Sequence, residues 1–153
     1  MKKLLFVILF IAFLSACRKT NFSKSNHLNK ILVNKCQDYI GTPYKFGGTT
    51  KEGMDCSGLI FTAFKEIGEQ IPRVSYKQAE HFEEIKKEEI KIGDLVYFKV
   101  NSSRINHTGI ISRIENREEI YFLHASTSTG VREDNLLSKY WKSKFVKVTR
   151  PQI

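Results

Sequence analysis

The sequence lacks several features that would assign its class at once. No internal repeat or low-complexity segment runs through its 153 residues. No Arg or Lys cluster forms a stripe suited to a nucleic-acid groove, although the formal net charge is +9, so nucleic acid is not an expected partner. Acidic residues are the minority, 16 against 25 Lys and Arg. Such a surface favours an anionic envelope polymer or lipid headgroups, unless the charge is simply solvated. Cysteine is scarce, at positions 17, 36 and 56 only, without the closely spaced ligand pairs of structural zinc sites. The longest apolar run, Leu4 to Leu14, has eleven residues, short of the roughly 20 that a membrane-spanning helix needs.

That run, preceded by Lys2 and Lys3, reads as a secretory signal. It ends in Leu14-Ser15-Ala16-Cys17, which resembles the lipobox of bacterial lipoproteins. The resemblance implies cleavage before Cys17 and lipid on its sulfur; the plainer alternative is an ordinary signal with a cysteine at its boundary. Residues 1–16 are then a signal peptide, 17–26 a lipidated tether, and 27–153 a single domain. The 137 residues left after cleavage carry one core and leave no room for a second. Loss of the two lysines lowers the net charge to +7. The expected location is the cell envelope, with a lipid-anchored monomer on a membrane. Arg18 beside the lipid cysteine points to the outer membrane over the plasma membrane.

Beyond the tether, Leu28, Ile31, Leu32, Cys36, Tyr39 and Ile40 share one helical face, which Gly41 and Pro43 end. A Gly-rich loop, "YKFGGTTKEGM", leads into a second helix with Leu59, Ile60, Ala63, Phe64 and Ile67 on one side and Gly68 at its close. Ser75 and Gln78 fit a capping box for a short third helix carrying Ala79 and Phe82. "EEIKKEEIK" reads as a solvated stretch. The period then changes to strands over residues 94–100, 107–114, 119–125 and 145–150. Helices followed by a run of strands predict an α+β fold with an antiparallel sheet.

Within "GMDCSGLIFTAF" a thiol stands at the start of the second helix. Cysteine acts on carbonyls as a thiolate, and a free thiol with a pKa near 8.5 holds little of that form at neutral pH. A helix N-terminus and a nearby imidazole both lower the value. Asp55 or Ser57 can cap the helix, which puts Cys56 in its first turn. A carboxylate beside a thiol has the opposite effect, so Asp55 is expected to point elsewhere, toward a substrate amine for instance.

Four histidines are available as partner. His27 lies beside the tether and His81 on a short charged helix, and neither has an assigned role. His107 and His124 fall on two strands of one hairpin. With a turn at Glu115-Asn116, paired residues have numbers summing to 231, and the two histidines oppose each other directly. With a turn at Asn116-Arg117 the sum is 233, and they become diagonal neighbours on one face. A slip of one residue, or a bulge, is expected to separate them. His107 as base with His124 orienting it follows the logic of nucleophile, base and orienting group.

"GTPYKFGGTTKEGMDCSGLIFTAF", "PRVSYKQ", "KIGDLVYF", "NHTGII" and "FLHASTSTGV" resemble, in order and spacing, the blocks of the NlpC family of papain-like cell-wall cysteine peptidases. The resemblance runs from about residue 27 to 150. It implies a papain-like fold, with N-terminal helices packed on an antiparallel sheet, and hydrolysis of an amide in a peptidoglycan stem peptide or cross-link. Carried over by position, it implies Cys56 as nucleophile, His107 as general base and His124 as the group orienting that base. Tyr44 then holds the oxyanion, alongside the backbone N–H of Cys56. Asp55 and Ser57 resemble positions that contact the stem peptide, and Arg73, Ser75 and Gln78 match a motif near the cleft. No cofactor or metal is implied.

Other readings of the same residues stay open. Cys56 could be a buried filler, or could pair with Cys36 in a disulfide. Cys56, His107 and His124 have zinc-ligand chemistry. The cleft could bind wall polymer or a partner enzyme without catalysis, or transfer an acyl group to an amine or lipid.

Overall fold

Leu95, Tyr97, Ile110, Leu123, Ala125 and Val131 are buried, and so are Val96, Phe98, Ile111 and Phe122. Neighbours along a strand point to opposite faces, so a strand buried at every position must be covered on both sides. The computed structural model describes residues 27–152 and contains such a sheet. The proposed signal peptide, the tether and Cys17 lie outside the described residues.

Helix α1 covers residues 27–37. A two-stranded hairpin of β1 (Thr49–Thr50) and β2 (Gly53–Met54) precedes α2 (Cys56–Glu66) and α3 (Ser75–His81). There follow β3 (Glu83–Ile85), a 3-10 turn at Lys87–Glu89, β4 (Leu95–Phe98), β5 (His107–Ile114), β6 (Ile120–Ser126) and β7 (Gly130–Asn135). Helix α4 (Lys139–Lys144) and β8 (Phe145–Arg150) complete the chain. Six strands form one antiparallel sheet in the order β3-β8-β4-β5-β6-β7.

One face carries Leu95, Tyr97, Ile110, Leu123 and Ala125 against Leu32, Val33 and Cys36 of α1, Leu59, Ile60, Ala63 and Phe64 of α2, and Ala79 of α3. The other carries Val96, Phe98, Ile111, Phe122 and Val148 against Leu136 and Trp141. The expected α+β architecture is therefore present, with the four expected strands as β4, β5, β6 and β8. Gly68 closes α2 as expected: at φ +86 it donates to Lys65, while Glu69 donates to Phe64, which is a Schellman ending.

Several local expectations need correction. Ile40 is not on the core face of α1; it lies in the following turn and is 56% exposed, while Val33 takes the core position. The capping box of α3 does not form, because Val74 is the N-cap and no side chain caps it. Gln78 instead turns into the core, where its amide donates to the carbonyls of Ser57 (3.1 Å) and Pro72 (2.9 Å). The stretch "EEIKKEEIK" is not wholly solvated: it contains β3, an edge strand, and its Ile85 and Ile90 pack on the second cluster. Strand β7 and helix α4 had no counterpart in the sequence reading.

The register of β5 on β6 is set by a bulge. Near the turn, Ile114 faces Ile120 and Arg113 faces Tyr121; beyond Ser112, Ile111 faces Phe122 and Ile110 faces Leu123. The pair numbers thus sum to 234 at the turn and 233 past the bulge. Continued unbroken, the turn-end register would put His107 and His124 on opposite faces, since paired residues share a face and faces alternate along a strand. The extra residue restores them to one face as diagonal neighbours. A bulge was expected to separate the histidines; here it joins them.

Gly58, in the first turn of α2, lies so close to the loop leading into β1 that an added Cβ would sit 2.2 Å from the carbonyl oxygen of Gly48 and 3.0 Å from Nη2 of Arg73. Gly58→Ala is expected to destabilise the domain by about 2 kcal/mol, as overpacking does. The measurement is a thermal unfolding scan, with Tm falling by roughly 5–10 °C; an unchanged Tm would mean that helix and loop are not rigidly docked.

Candidate active site

Cys56 is the first residue of α2, and Asp55 is its N-cap, with Oδ1 accepting from the N–H of Gly58 at 2.7 Å. The sulfur is buried against the start of β5. It lies 3.8 Å from the carbonyl oxygen of Asn106 and interacts with the backbone N–H of Thr108, the residues on either side of His107. Asn106 is itself held by a pair of hydrogen bonds between its side-chain amide and the backbone of Val100. The same loop leans on α3 through Arg104, whose guanidinium lies over the ring of Tyr76.

His107 and His124 are both buried, with Nε2 of His107 3.0 Å from Nδ1 of His124. Trp141, brought by α4, stacks on the His107 ring at 5.2 Å between centroids. Phe122 stacks on the ring of His124 at 4.8 Å. Two residues absent from the sequence reading complete this wall. Asp134 on β7 lies 3.0 Å from Nε2 of His124, and Arg132 on the same strand pairs with Asp134 at 2.6 Å. A hairpin through "STSTG" would have paired His124 with Arg132, as the structure does. That signal lies in the hydroxyl-rich turn alone, because the strand after it lacks apolar alternation. Trp141, Asp134 and Arg132 line a cavity of about 310 Å³ together with both histidines and the hydroxyl-rich tip Ser126–Ser128.

Asp55 does not point at open space. Its carboxylate accepts from Gly58, Ser57 and Arg73 at Oδ1, and from Gly47 and Arg73 at Oδ2. Burial alone would push its carboxyl up; Arg73 and the N–H groups of Gly58 and Gly47 outweigh this and hold it below its ordinary value. Arg73 also donates to the Ser57 hydroxyl (3.0 Å) and the Gly48 carbonyl (3.1 Å). A substrate amine reaching Asp55 would have to displace one of these donors. Ser75 opens α3 and is buried. Tyr44 is bridged to Met54 and half-buried. Burial and the neighbouring Cys56 and Asp55 raise its pKa, so its hydroxyl stays protonated and able to donate.

The thiol is not activated in the way its position suggests. Burial pushes Cys56 up to about 11, and backbone hydrogen bonds offset this only in part. Burial and His124 push His107 down to about 3, against the pull of Asp134 and Asp55. A dry site penalises every charge, so both partners rest neutral. Cys36 and Cys56 are both free, so the disulfide alternative is set aside. The two facing nitrogens of His107 and His124 are engaged with each other, so they are not free to share a zinc ion with the sulfur.

The site sets out the groups of one chemistry: a thiol buried against the residues that flank a hydrogen-bonded imidazole, and a protonated phenol close enough to feel that thiol. That is thiol acyl-transfer chemistry, and its frame of N-terminal helices packed on an antiparallel sheet is that of the papain-like cysteine peptidases. Within that class the chain belongs to the NlpC/P60 family, which matches residues 41–150.

Relatives include a probable endopeptidase NlpC homolog of Haemophilus influenzae, 38% identical over 86% of this chain and 68% of its own length. Another is an Escherichia coli protein named murein DD-endopeptidase MepS/murein LD-carboxypeptidase, 34% identical over 85% of this chain and 66% of its own. The chain thus spans about two thirds of these relatives. Among solved structures, a Staphylococcus aureus protein described as similar to lipoprotein, NLP/P60 family, superposes with a TM-score of 0.69 at 30% identity. That match covers 81% of this chain and 41% of the other.

The knot at Asp55 predicts how stability depends on pH. Its folded pKa is depressed, so its contribution is complete above the unfolded value and is lost as pH falls through the folded one. Asp55→Asn is expected to be less stable than the parent at pH 7, with the gap closing below about pH 4. Denaturant titrations at both pH values check this; a gap independent of pH would mean that the carboxylate's charge contributes nothing.

Proposed function

We propose that the chain is a peptidoglycan hydrolase, a cysteine endopeptidase that cleaves an amide in a stem peptide or cross-link of the bacterial cell wall. The single observation that carries this is the Cys56 sulfur, buried at the start of α2 against the residues flanking His107, whose ring is hydrogen-bonded to His124. The names of the relatives give the substrate class.

Since Nε2 of His107 is engaged by His124, the base is Nδ1. It takes the thiol proton as sulfur attacks the amide carbon, and the C–S bond forms as the carbonyl becomes an oxyanion. The Tyr44 hydroxyl and the N–H of Cys56 hold that oxyanion. Collapse breaks the C–N bond, and His107 gives its proton to the departing amine. Water, deprotonated by the same nitrogen, then hydrolyses the thioester and restores the thiol. Asp55, Ser57, Arg73 and Ser75 build the wall on the side of α2 and α3, with Gln78 tying it to the core.

We further propose that the enzyme acts as a monomer in the cell envelope, tethered by lipid on Cys17 to a membrane, the outer one by preference. The basic surface then lies over an anionic polymer.

Incubating sacculi with the protein should release muropeptides, and the Cys56→Ala form should release none. Equal release by the two would sink the thiol mechanism. The pair also sets a pH profile. Between about 3 and about 11 it holds a single proton, the count that catalysis needs. Below that window the imidazole is charged beside a neutral thiol and cannot act as base; above it no proton remains for the leaving amine. A plot of kcat/KM against pH should therefore be a broad plateau across neutrality, its limbs belonging to the coupled pair. A rate climbing with one slope from pH 5 to 10 contradicts this.

A further inference from the structure

One hydrogen bond joins the two buried rings, and with a single N–H on each, either can be the donor. If His124 donates from Nδ1, then Nε2 of His107 accepts, and the single proton of His107 sits on Nδ1. That is the nitrogen required as base, and in this tautomer it has no lone pair to offer. If His107 donates from Nε2, its Nδ1 is free. The 3.0 Å separation fits both arrangements.

The far side of His124 breaks the tie. Its Nε2 lies 3.0 Å from Oδ2 of Asp134, and the same oxygen receives the indole N–H of Trp141 at 3.0 Å. The other oxygen, Oδ1, meets Nη2 of Arg132 at 2.6 Å. An ionised carboxylate only accepts, and a carboxylate facing Arg132, Trp141 and His124 remains ionised; these contacts outweigh its burial and keep it below the ordinary carboxyl range. Nε2 of His124 must then carry hydrogen; when that is the ring's single hydrogen, its Nδ1 accepts and Nε2 of His107 donates.

We propose that Asp134 is a positioning residue that fixes the tautomers of both histidines and so leaves the Nδ1 lone pair of His107 free. The fold places it for this. Phe122 pairs with Asp134 and His124 with Arg132, so the acid is diagonal to His124 on the same face of the sheet. His124 is fully buried, which keeps water from supplying a rival partner. The role in catalysis rests on the hydrolase reading above, whereas the tautomers do not.

Nitrogen NMR of the ¹⁵N-labelled protein near neutral pH reads the tautomers directly. Both histidines should be protonated on Nε2 and bare on Nδ1. A proton on Nδ1 of either ring overturns the proposal, whether or not the protein cuts sacculi. In Asp134→Ala the pattern should become mixed or reverse, and kcat should fall on the order of 100-fold. That is less than the ~10⁴-fold seen when an acid touching the base itself is neutralised, since Asp134 acts through His124.

The acid limb of kcat/KM should also move to lower pH, since the lost charge supported the imidazolium. The groups facing His107 and Asp134 are His124 from β6, Arg132 from β7, and Cys56 and Asp55 from the start of α2, and all remain in the variant. Asp134→Glu should recover part of the rate. A purely structural acid would lower Tm and yield while leaving limb and tautomers in place, and that result refutes the role. If Asp134→Ala does not fold, the parent spectrum still decides.

Discussion

The pairing of β5 with β6 fixes where everything else in the site can be. It sets His107 and His124 on one face, and it presents the backbone of Asn106 and Thr108 to the sulfur of Cys56. The pairing is sensitive to a single residue, because side chains alternate with a period of two and any odd shift turns a whole strand segment over. Ser112 supplies the compensating residue. Past it the histidines share the Trp141 side of the sheet, while Ile110 and Leu123 face the helices.

A second constraint comes from the other direction. The N-terminus of α2 has to reach the sheet end, and Asp55 secures it by joining the helix cap, the Gly47–Gly48 loop and Arg73 in one hydrogen-bonded knot. The knot brings a carboxylate next to the thiol, which on its own would oppose ionisation. Five donors hold that carboxylate, yet its charge still adds to the upward shift of the thiol. The larger opposition to the thiolate is burial, and this explains why the helix start does not dominate: the dipole is worth about 1 kcal/mol at a terminus, whereas burying an unpaired charge costs several. The site therefore rests as a neutral pair.

Much of this was legible along the chain. The apolar faces of α1 and α2 and the short apolar runs of β4, β5, β6 and β8 are written in near-neighbour spacing. The thiol at a capped helix start and the two histidines of a hairpin could be picked out by residue type and position. The missing pieces share a reason. β7 reads "GVREDN", and Arg132 and Asp134 are polar and pair with each other and, through Asp134, with His124; a strand with a polar face of this kind has no hydrophobic period to find. α4 is six residues long, too short to show a helical period. β3 is an edge strand with charged, exposed positions.

The sequence by itself determined the local order: the two long helices and the stop of the second, four of the strands, which residues have the chemistry for acyl transfer, and which family the pattern resembles. Tertiary structure alone decided the bulge that keeps two histidines together, the inward turn of Asp55 to Arg73, the dryness that holds thiol and imidazole neutral, and the placing of Asp134 behind His124. The physical reason is range. Caps and periods depend on neighbours within a turn or two, whereas register, burial and polar partnership depend on which distant strands come to lie side by side.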